Sequence, residues 1–319
     1  MTASTDLLTV GLTTIDIAMR SVDALPPIDT GVLVESVLLS PAGTAGGTAM
    51  VAATLGLNVA IASAVGDDLQ GVAVRHGMER AGIDTRHLLT DTTWRTSSTV
   101  LPVRSFGQRS TYHMVGASMF AALPDALEAE LPSIRAIHWG AVNLPGVANQ
   151  SVDFLRKARA AGVFVTCDLV SPRDGTMQDL ARILPFVDVF MPSLAEVVQL
   201  HGSEDLRGAA DRFIAMGAGK CVFKLGHDGA ILLGPDQEVR VAALPIDPVD
   251  TTTCGDSFCA GFHAARQRGQ GEEDALRFAT ATAAQVAMGL GTLGALRDYH
   301  STLALAGEVP RLDLAGAAR

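Results

Sequence analysis

Apolar residues along this chain fall into short continuous runs bounded by turn residues, the pattern of strands buried on both faces of a parallel sheet. Leu7-Leu-Thr-Val-Gly11 is the first such run. From residue 134 onward the runs alternate with amphipathic stretches: strand 134–139, helix 147–161, strand 163–168, helix 176–184, strand 187–191, two helices, then strand 221–225. Alternation of this kind predicts a central, mostly parallel sheet with helices on both faces, an α/β fold. His138, Asn143, Asp168 and Arg173 then stand at or just beyond strand C-terminal ends, the ligand side of such a sheet, although His138 reads equally well as a core histidine.

A second pattern interrupts the first. Residues 13–17, 31–39, 97–104 and 109–114 read as strands without intervening crossover helices, the last two as a hairpin around Phe106-Gly107-Gln108. They predict a small separate sheet, with strands drawn from about 17–40 and 95–116, within one domain spanning 1–319. Between them a glycine-rich stretch, Pro41-Ala-Gly43-Thr44-Ala-Gly-Gly47-Thr-Ala49, opens a helix ending at Leu55-Gly56, followed by a strand over 59–64. Asp16 is expected to end its strand, where it reads either as a ligand-side carboxylate or as a surface turn.

Composition narrows the class. A hydrophobic fraction of 48% with 18% charged residues requires a sizeable core. The net charge of −10, with no Lys/Arg run, argues against nucleic acid as a partner. Uncharged stretches at 36–66 and 278–296 are cut by Pro and Gly or made mostly of Ala, Thr and Gly, and read as buried elements rather than membrane spans. Cys167, Cys221, Cys254 and Cys259 form no Cys-x-x-Cys pair, and no basic N-terminal leader is visible. A reduced, cytoplasmic protein is the expectation.

Chemistry concentrates in Asp247-Pro-Val-Asp250-Thr251-Thr252-Thr253-Cys254-Gly255-Asp256-Ser257-Phe258-Cys259-Ala-Gly261-Phe262. Small residues lead into a helix, so backbone N–H groups can converge on one point where the helix dipole adds positive charge, an anion site. Asp256 beside it suits a carboxylate that takes a proton from a nucleophile, as in phosphoryl transfer to an alcohol; the plainer reading makes it a helix cap. Gly289-Leu-Gly291-Thr-Leu-Gly294 spells a dinucleotide fingerprint but follows a helix, which argues against a nicotinamide enzyme.

The central stretch resembles the C-terminal signature of ribokinase-like (PfkB) carbohydrate kinases, Asp-Thr-Thr-Gly-Ala-Gly-Asp-x-Phe followed by Gly-Phe. Val65-Gly66-Asp67-Asp68-x-x-Gly71 resembles the family's first signature, Met191-Pro-Ser193-x-x-Glu196 its Pro-Asn-x-x-Glu, and Lys224-Leu-Gly226-x-x-Gly229 its nucleotide-side turn. Thr253, Cys254 and Ser193 depart from the family residues, and Gly47 stands where the family has a sugar-binding Asn.

The resemblance implies an ATP-dependent kinase acting on a small polyhydroxy substrate, with the small sheet as a lid that also serves a homodimer. In it Asp256 is the base, and the amides of Thr253, Cys254, Gly255 and Asp256 hold the migrating phosphoryl. Lys224, Gly226, Gly229, Thr251 and Thr280 lie on the nucleotide side; Asp16, Gly43, Thr44, Gly47 and Asp250 grip the acceptor. Glu196 orders the waters of Mg²⁺, while Ser193-x-x-Glu196 is also a capping box. A carboxylate near its usual value of about 4 is ionised at neutral pH, so Asp256 is expected to need no shift. The space left by the missing amide at Gly47 is expected to admit a bulkier or less polar acceptor group, or a water brought with the acceptor. The alternative is a catalytically weak sensor on the same fold, for which a base at Asp256 has no use.

Overall fold

Leu7 and Leu8 point to opposite faces of one strand and both are fully buried, so a helical layer must cover each face. The computed structural model of the chain describes residues 4–312; residues 1–3 and 313–319 of the expected domain lie outside it. Strand β1 (Leu7–Gly11) is followed by β2 (Thr14–Arg20), β3 (Ser36–Ala42), helix α1 (Gly43–Thr54), β4 (Val59–Gly66), α2 (Leu69–Arg80) and β5 (Asp84–Asp91). Next come β6 (Ser98–Val103), β7 (Tyr112–Met114), α3 (Ala117–Phe120), α4 (Ala126–Glu130), β8 (Ala136–Gly140), α5 (Ser151–Ala160) and β9 (Phe164–Cys167). The remainder is α6 (Thr176–Ile183), β10 (Val189–Phe190), α7 (Leu194–His201), α8 (Leu206–Ala215), β11 (Lys220–Lys224), β12 (Ala230–Leu233), β13 (Glu238–Val241), α9 (Cys254–Gln267), α10 (Glu272–Ala287) and α11 (Tyr299–Ala306).

The main sheet has nine strands in the order β13-β12-β11-β10-β9-β8-β1-β4-β5, parallel from β11 to β5 and antiparallel at β12 and β13. Leu7 belongs to the core layer supplied by α1, α2, α9, α10 and α11, and Leu8 to the one supplied by α5, α6, α7 and α8. The chain leaves β1 toward β4 on one side and returns through β8 on the other. The carboxyl end of β1 is therefore a topological switch point, where open α/β sheets bind ligands. The second sheet runs β3-β2-β6-β7, and its Ala18, Leu101 and Val103 pack on Leu290.

Several expectations need correction. The strand placed at 31–39 is instead Ser36–Ala42, because β3 pairs with β2 from Arg20↔Ser36 to Thr14↔Ala42. Pro41 is admitted since β3 is an edge strand, where its missing N–H faces no partner. Asp16 does not end a strand; it lies inside β2, paired with Ser40 and Thr99. Gly43, Gly46 and Gly47 belong to α1 itself rather than to a preceding loop. Helix α2 and strand β5 had no reading, the strand because its exposed and buried residues follow no clean period. Among the described residues no helix is long and apolar enough to cross a membrane.

The crossing of β1, β8 and α1 sets the floor beneath the switch point. Gly11 has φ of 148°, and a Cβ there would stand 2.6 Å from both C and O of Gly140 and 2.9 Å from Thr44 Oγ1. Gly11→Ala is expected to cost more than about 2 kcal/mol in urea denaturation, since the Gly140 backbone and the Thr44 side chain must move. A loss below about 0.5 kcal/mol would mean that this crossing is not tightly packed.

Candidate active site

Helix α9 begins without a side-chain cap. Thr253 precedes it with left-handed backbone, φ 62°, and its carbonyl accepts from the Ser257 amide at 2.8 Å. The amides of Cys254, Gly255 and Asp256 thus have no intrahelical acceptor and point out of the helix N-terminus, where an anion would be held. The loop leading there is pinned by Asp250, whose fully buried carboxylate accepts from Thr252 N (2.8 Å), Thr252 Oγ1 (2.5 Å) and Gly291 N (3.0 Å). Arg109, from the β6–β7 connection, donates to Thr251 Oγ1 at 2.9 Å and lies 4.0 Å from Asp250.

Lys224, at the end of β11, brings an ammonium to this N-terminus. Its Nζ is 2.5 Å from Asp168 Oδ2 and 3.3 Å from where a Cβ on Gly255 would stand, so the glycine admits it. Burial alone would lower the Lys224 pKa, but the carboxylate of Asp168, helped by Cys259 and Glu196, holds it above its usual value. Beneath the pair, Cys259 Sγ lies 3.5 Å from Asp168 Oδ2, and Thr166 Oγ1 bridges His138 Nδ1 (2.9 Å) and His263 Nε2 (2.7 Å). Burial, and then Lys224, push His138 down to about 3; it is a neutral core histidine. His138, Asp168 and Cys259 are close enough to share a cation, and the Lys224 ammonium supplies that charge to Asp168.

Asp256 projects from the first turn of α9, half-buried. Burial pushes its carboxyl up to about 7; the Asp168 carboxylate adds to the rise, Lys224 opposes it, and Asp16 and Glu196 add smaller repulsions. The carboxyl is not the cap of α9, since Thr253 holds that position and no side chain caps it.

Glu196 closes a capping box: one oxygen, Oε2, accepts from both Ser193 N and Ser193 Oγ at 2.7 Å, and Ser193 Oγ accepts from Glu196 N. Burial first, then Asp168, raise its pKa against Lys224, which puts it in the same electrostatic cluster. Asp16, also buried, accepts from Thr14 Oγ1 at 2.7 Å; burial raises its pKa while Thr14 and Thr99 oppose the rise. His113 of β7 stands near it, bonded to Thr99 through Nδ1 at 3.1 Å.

Other expected site residues have structural duties. Thr44 is buried, and its hydroxyl donates to Gly140 O (2.8 Å) and accepts from Leu12 N (3.2 Å), so the chain itself engages it. Asp250 likewise has its carboxylate engaged by the chain itself. Gly43, φ 91°, starts α1 against the backbone of Leu12, leaving no room for a side chain. Gly229, φ 93°, closes the β11–β12 turn against β13, while Gly226 faces open space. The Thr280 hydroxyl is buried without a partner on α10. At Gly47 no vacancy exists: a Cβ would meet Thr253 Cγ2 at 2.7 Å and Asp256 Oδ2 at 3.0 Å. The roomier acceptor expected there is therefore corrected. Sequence reasoning missed Arg109 and His113, whose approach depends on how the second sheet docks, and the pairing of Asp168 with Lys224, signalled only by both lying at strand C-terminal ends.

The pattern of the pfkB family carbohydrate kinases matches residues 4–297. A nucleoside kinase of Methanothermobacter thermautotrophicus is 28% identical over 297 residues, 92% of each chain. A fructokinase of Vibrio alginolyticus is 27% identical over 258 residues, 77% of this chain and 81% of its own. Among solved structures, Arabidopsis thaliana ribokinase with ribose and ATP superposes with a TM-score of 0.81 at 22% identity, covering 95% of this chain and 99% of its own. A putative ribokinase II from E. coli with ATP and Mg²⁺ gives 0.82 at 21% identity, with the same coverage.

The raised Asp256 carboxyl makes a stability prediction independent of activity. A carboxyl whose folded pKa, about 7, exceeds its unfolded value of 3.8 stabilises the fold fully at low pH and loses that contribution as pH rises toward 7. Asp256→Asn, which does not titrate, should gain stability relative to wild type between pH 5.5 and 8.5, by at most about 2 kcal/mol. Chemical denaturation at both values measures the difference, and an unchanged difference would place the Asp256 pKa near that of a solvated carboxylate.

Proposed function

The chain belongs to the PfkB family of carbohydrate kinases, and we propose that Asp256 is the base with which this ATP-dependent kinase activates an alcohol group of a small sugar, sugar derivative or nucleoside. The observation that carries the proposal is the uncapped N-terminus of α9, with the Asp256 carboxyl on its first turn and the Lys224 ammonium beside it. The acceptor hydroxyl gives its proton to Asp256 as its oxygen bonds the γ-phosphorus, and the bridging oxygen leaves with ADP. The amides of Cys254, Gly255 and Asp256, with Lys224, stabilise charge on the migrating phosphoryl. A pKa of about 7 suits the task, since the carboxylate is available near neutrality yet basic enough to take the proton. A sensor would have no need of such a group.

Oxygen donors fit Mg²⁺: Asp168 Oδ1 is buried without a partner, and Glu196 presents its carboxylate to the same cluster. Bound Mg²⁺ would offset phosphate charge, with Glu196 and Asp168 holding its water shell. We read the second sheet as the lid, with Asp16 facing the acceptor and Arg109 reaching the anion loop. The exposed Val37, Leu39 and Tyr112 of that sheet favour a homodimer through it. Free cysteines fit a reducing, cytoplasmic setting.

Turnover of ATP against a panel of pentoses, hexoses, polyols and nucleosides tests the activity. With the best acceptor, kcat/KM should rise with pH through an apparent pKa near 7, and Asp256→Asn should lose at least about 100-fold in kcat while remaining folded. Substantial residual activity in the variant would remove Asp256 from the role of base.

Glu196→Gln keeps an oxygen for the capping box, so its melting temperature should stay near wild type while the Mg²⁺ concentration for half-maximal rate rises several-fold, about 10-fold being the scale of a lost outer-shell contact. An unchanged Mg²⁺ requirement with a lowered melting temperature would leave Glu196 as a cap alone.

A further inference from the structure

Two locally unfavourable choices meet beside Asp256. Thr253 places a β-branched side chain in left-handed backbone, φ 62°; the other such non-glycine residues described, Asp29, Asn143 and Ser171, carry unbranched polar side chains. Gly47 is a glycine inside buried helix α1, a position whose backbone any residue could adopt. Neither choice is explained by its own element. They are explained by each other, because Thr253 Cγ2 lies 2.7 Å and Asp256 Oδ2 3.0 Å from the point where a Cβ on Gly47 would stand. Helix α1 is also tied to this spot by Thr48 Oγ1, 3.4 Å from Asp256 O.

We propose that Thr253 and Gly47 form one specificity-determining unit, in which Gly47 gives up its side chain to seat that of Thr253, and Thr253 forms the wall of the acceptor pocket next to the reacting hydroxyl. The proposal rests on the reading of α9 as the catalytic helix. Thr253 is strained in order to occupy this place. A glycine at 253 would lead into α9 with the same left-handed backbone and without strain, so what the threonine adds is its side chain. That side chain closes the space toward α1 with its Cγ2 methyl.

The test is a double-mutant cycle of Gly47→Ala, Thr253→Gly and the pair, read by melting temperature and by kcat/KM for the two best acceptors among ribose, fructose, adenosine and glycerol. Gly47→Ala should lower the melting temperature by several degrees and kcat/KM by at least about tenfold, both losses shrinking in the Thr253→Gly background. Thr253→Gly alone should hold or raise the melting temperature while changing the ratio of kcat/KM between the acceptors by more than about fivefold. Equal effects of Gly47→Ala in both backgrounds would overturn the pairing. A ratio within about twofold of wild type in Thr253→Gly would overturn the selection. If wild type phosphorylates none of the acceptors, the kinase reading is what fails for them, and the melting temperatures alone decide the pairing.

Discussion

The ion pair of Lys224 with Asp168 is the interaction on which the site depends. After burial, the Asp168 carboxylate raises the pKa of both Asp256 and Glu196 near the N-terminus of α9, Asp16 and Glu196 add to the rise at Asp256, and the Lys224 ammonium opposes the rise at both. Two buried charges at 2.5 Å are weak evidence for stability taken as a pair, yet removing one partner leaves the other uncompensated at a cost of about 3–5 kcal/mol. Here the ammonium does more than match Asp168. It opposes the rise of Asp256, which burial and neighbouring carboxylates would otherwise carry further from neutrality. The arrangement follows from two sequence choices, a lysine at the carboxyl end of β11 and a glycine in the first turn of α9.

The anion loop is held from both sides. Asp250 ties it to Gly291 in the turn after α10, so the glycine-rich run that mimics a dinucleotide fingerprint is an anchor for the loop. Arg109 ties it to the second sheet through Thr251, and a Cβ on Gly107 of the same connection would stand 2.5 Å from Pro248 O. Movement of that sheet is thereby coupled to the backbone that would hold phosphate. A sheet built largely on β2 and β6, with Asp16 on one and Thr99 opposite, is thus joined to the loop through Arg109.

The main sheet was legible because its strands are buried on both faces and separated by helical periods, so β1, β8, β9 and β11 needed no tertiary information. The second sheet was harder to bound. Its β3 reads as 31–39 by apolarity, but Val32 and Leu33 are exposed, and pairing with β2 moves the strand to Ser36–Ala42. The position of Asp256 was readable from the small residues ahead of a helix. Its raised pKa was not, because it depends first on burial in the folded site and then on carboxylates from three other segments, Asp168, Asp16 and Glu196. The capping box at Ser193 and Glu196 was visible in spacing alone, since both partners lie within one turn.

Thr44 and Asp250 hold backbone in place, and this explains which departures from the family pattern the site can absorb. Where the working group is an amide, the side chain at that position is free to change provided the backbone stays put. Cys254 is such a position, and Glu196 needs from residue 193 only a group to complete the helix cap, which serine supplies as well as a longer amide would. The freedom ends where side chains meet. Thr253 could enter the anion loop only because position 47 carries no Cβ, and Lys224 could reach the helix only because position 255 carries none. Substitution at the site is therefore governed less by the chemistry of single residues than by pairwise volume around Asp256.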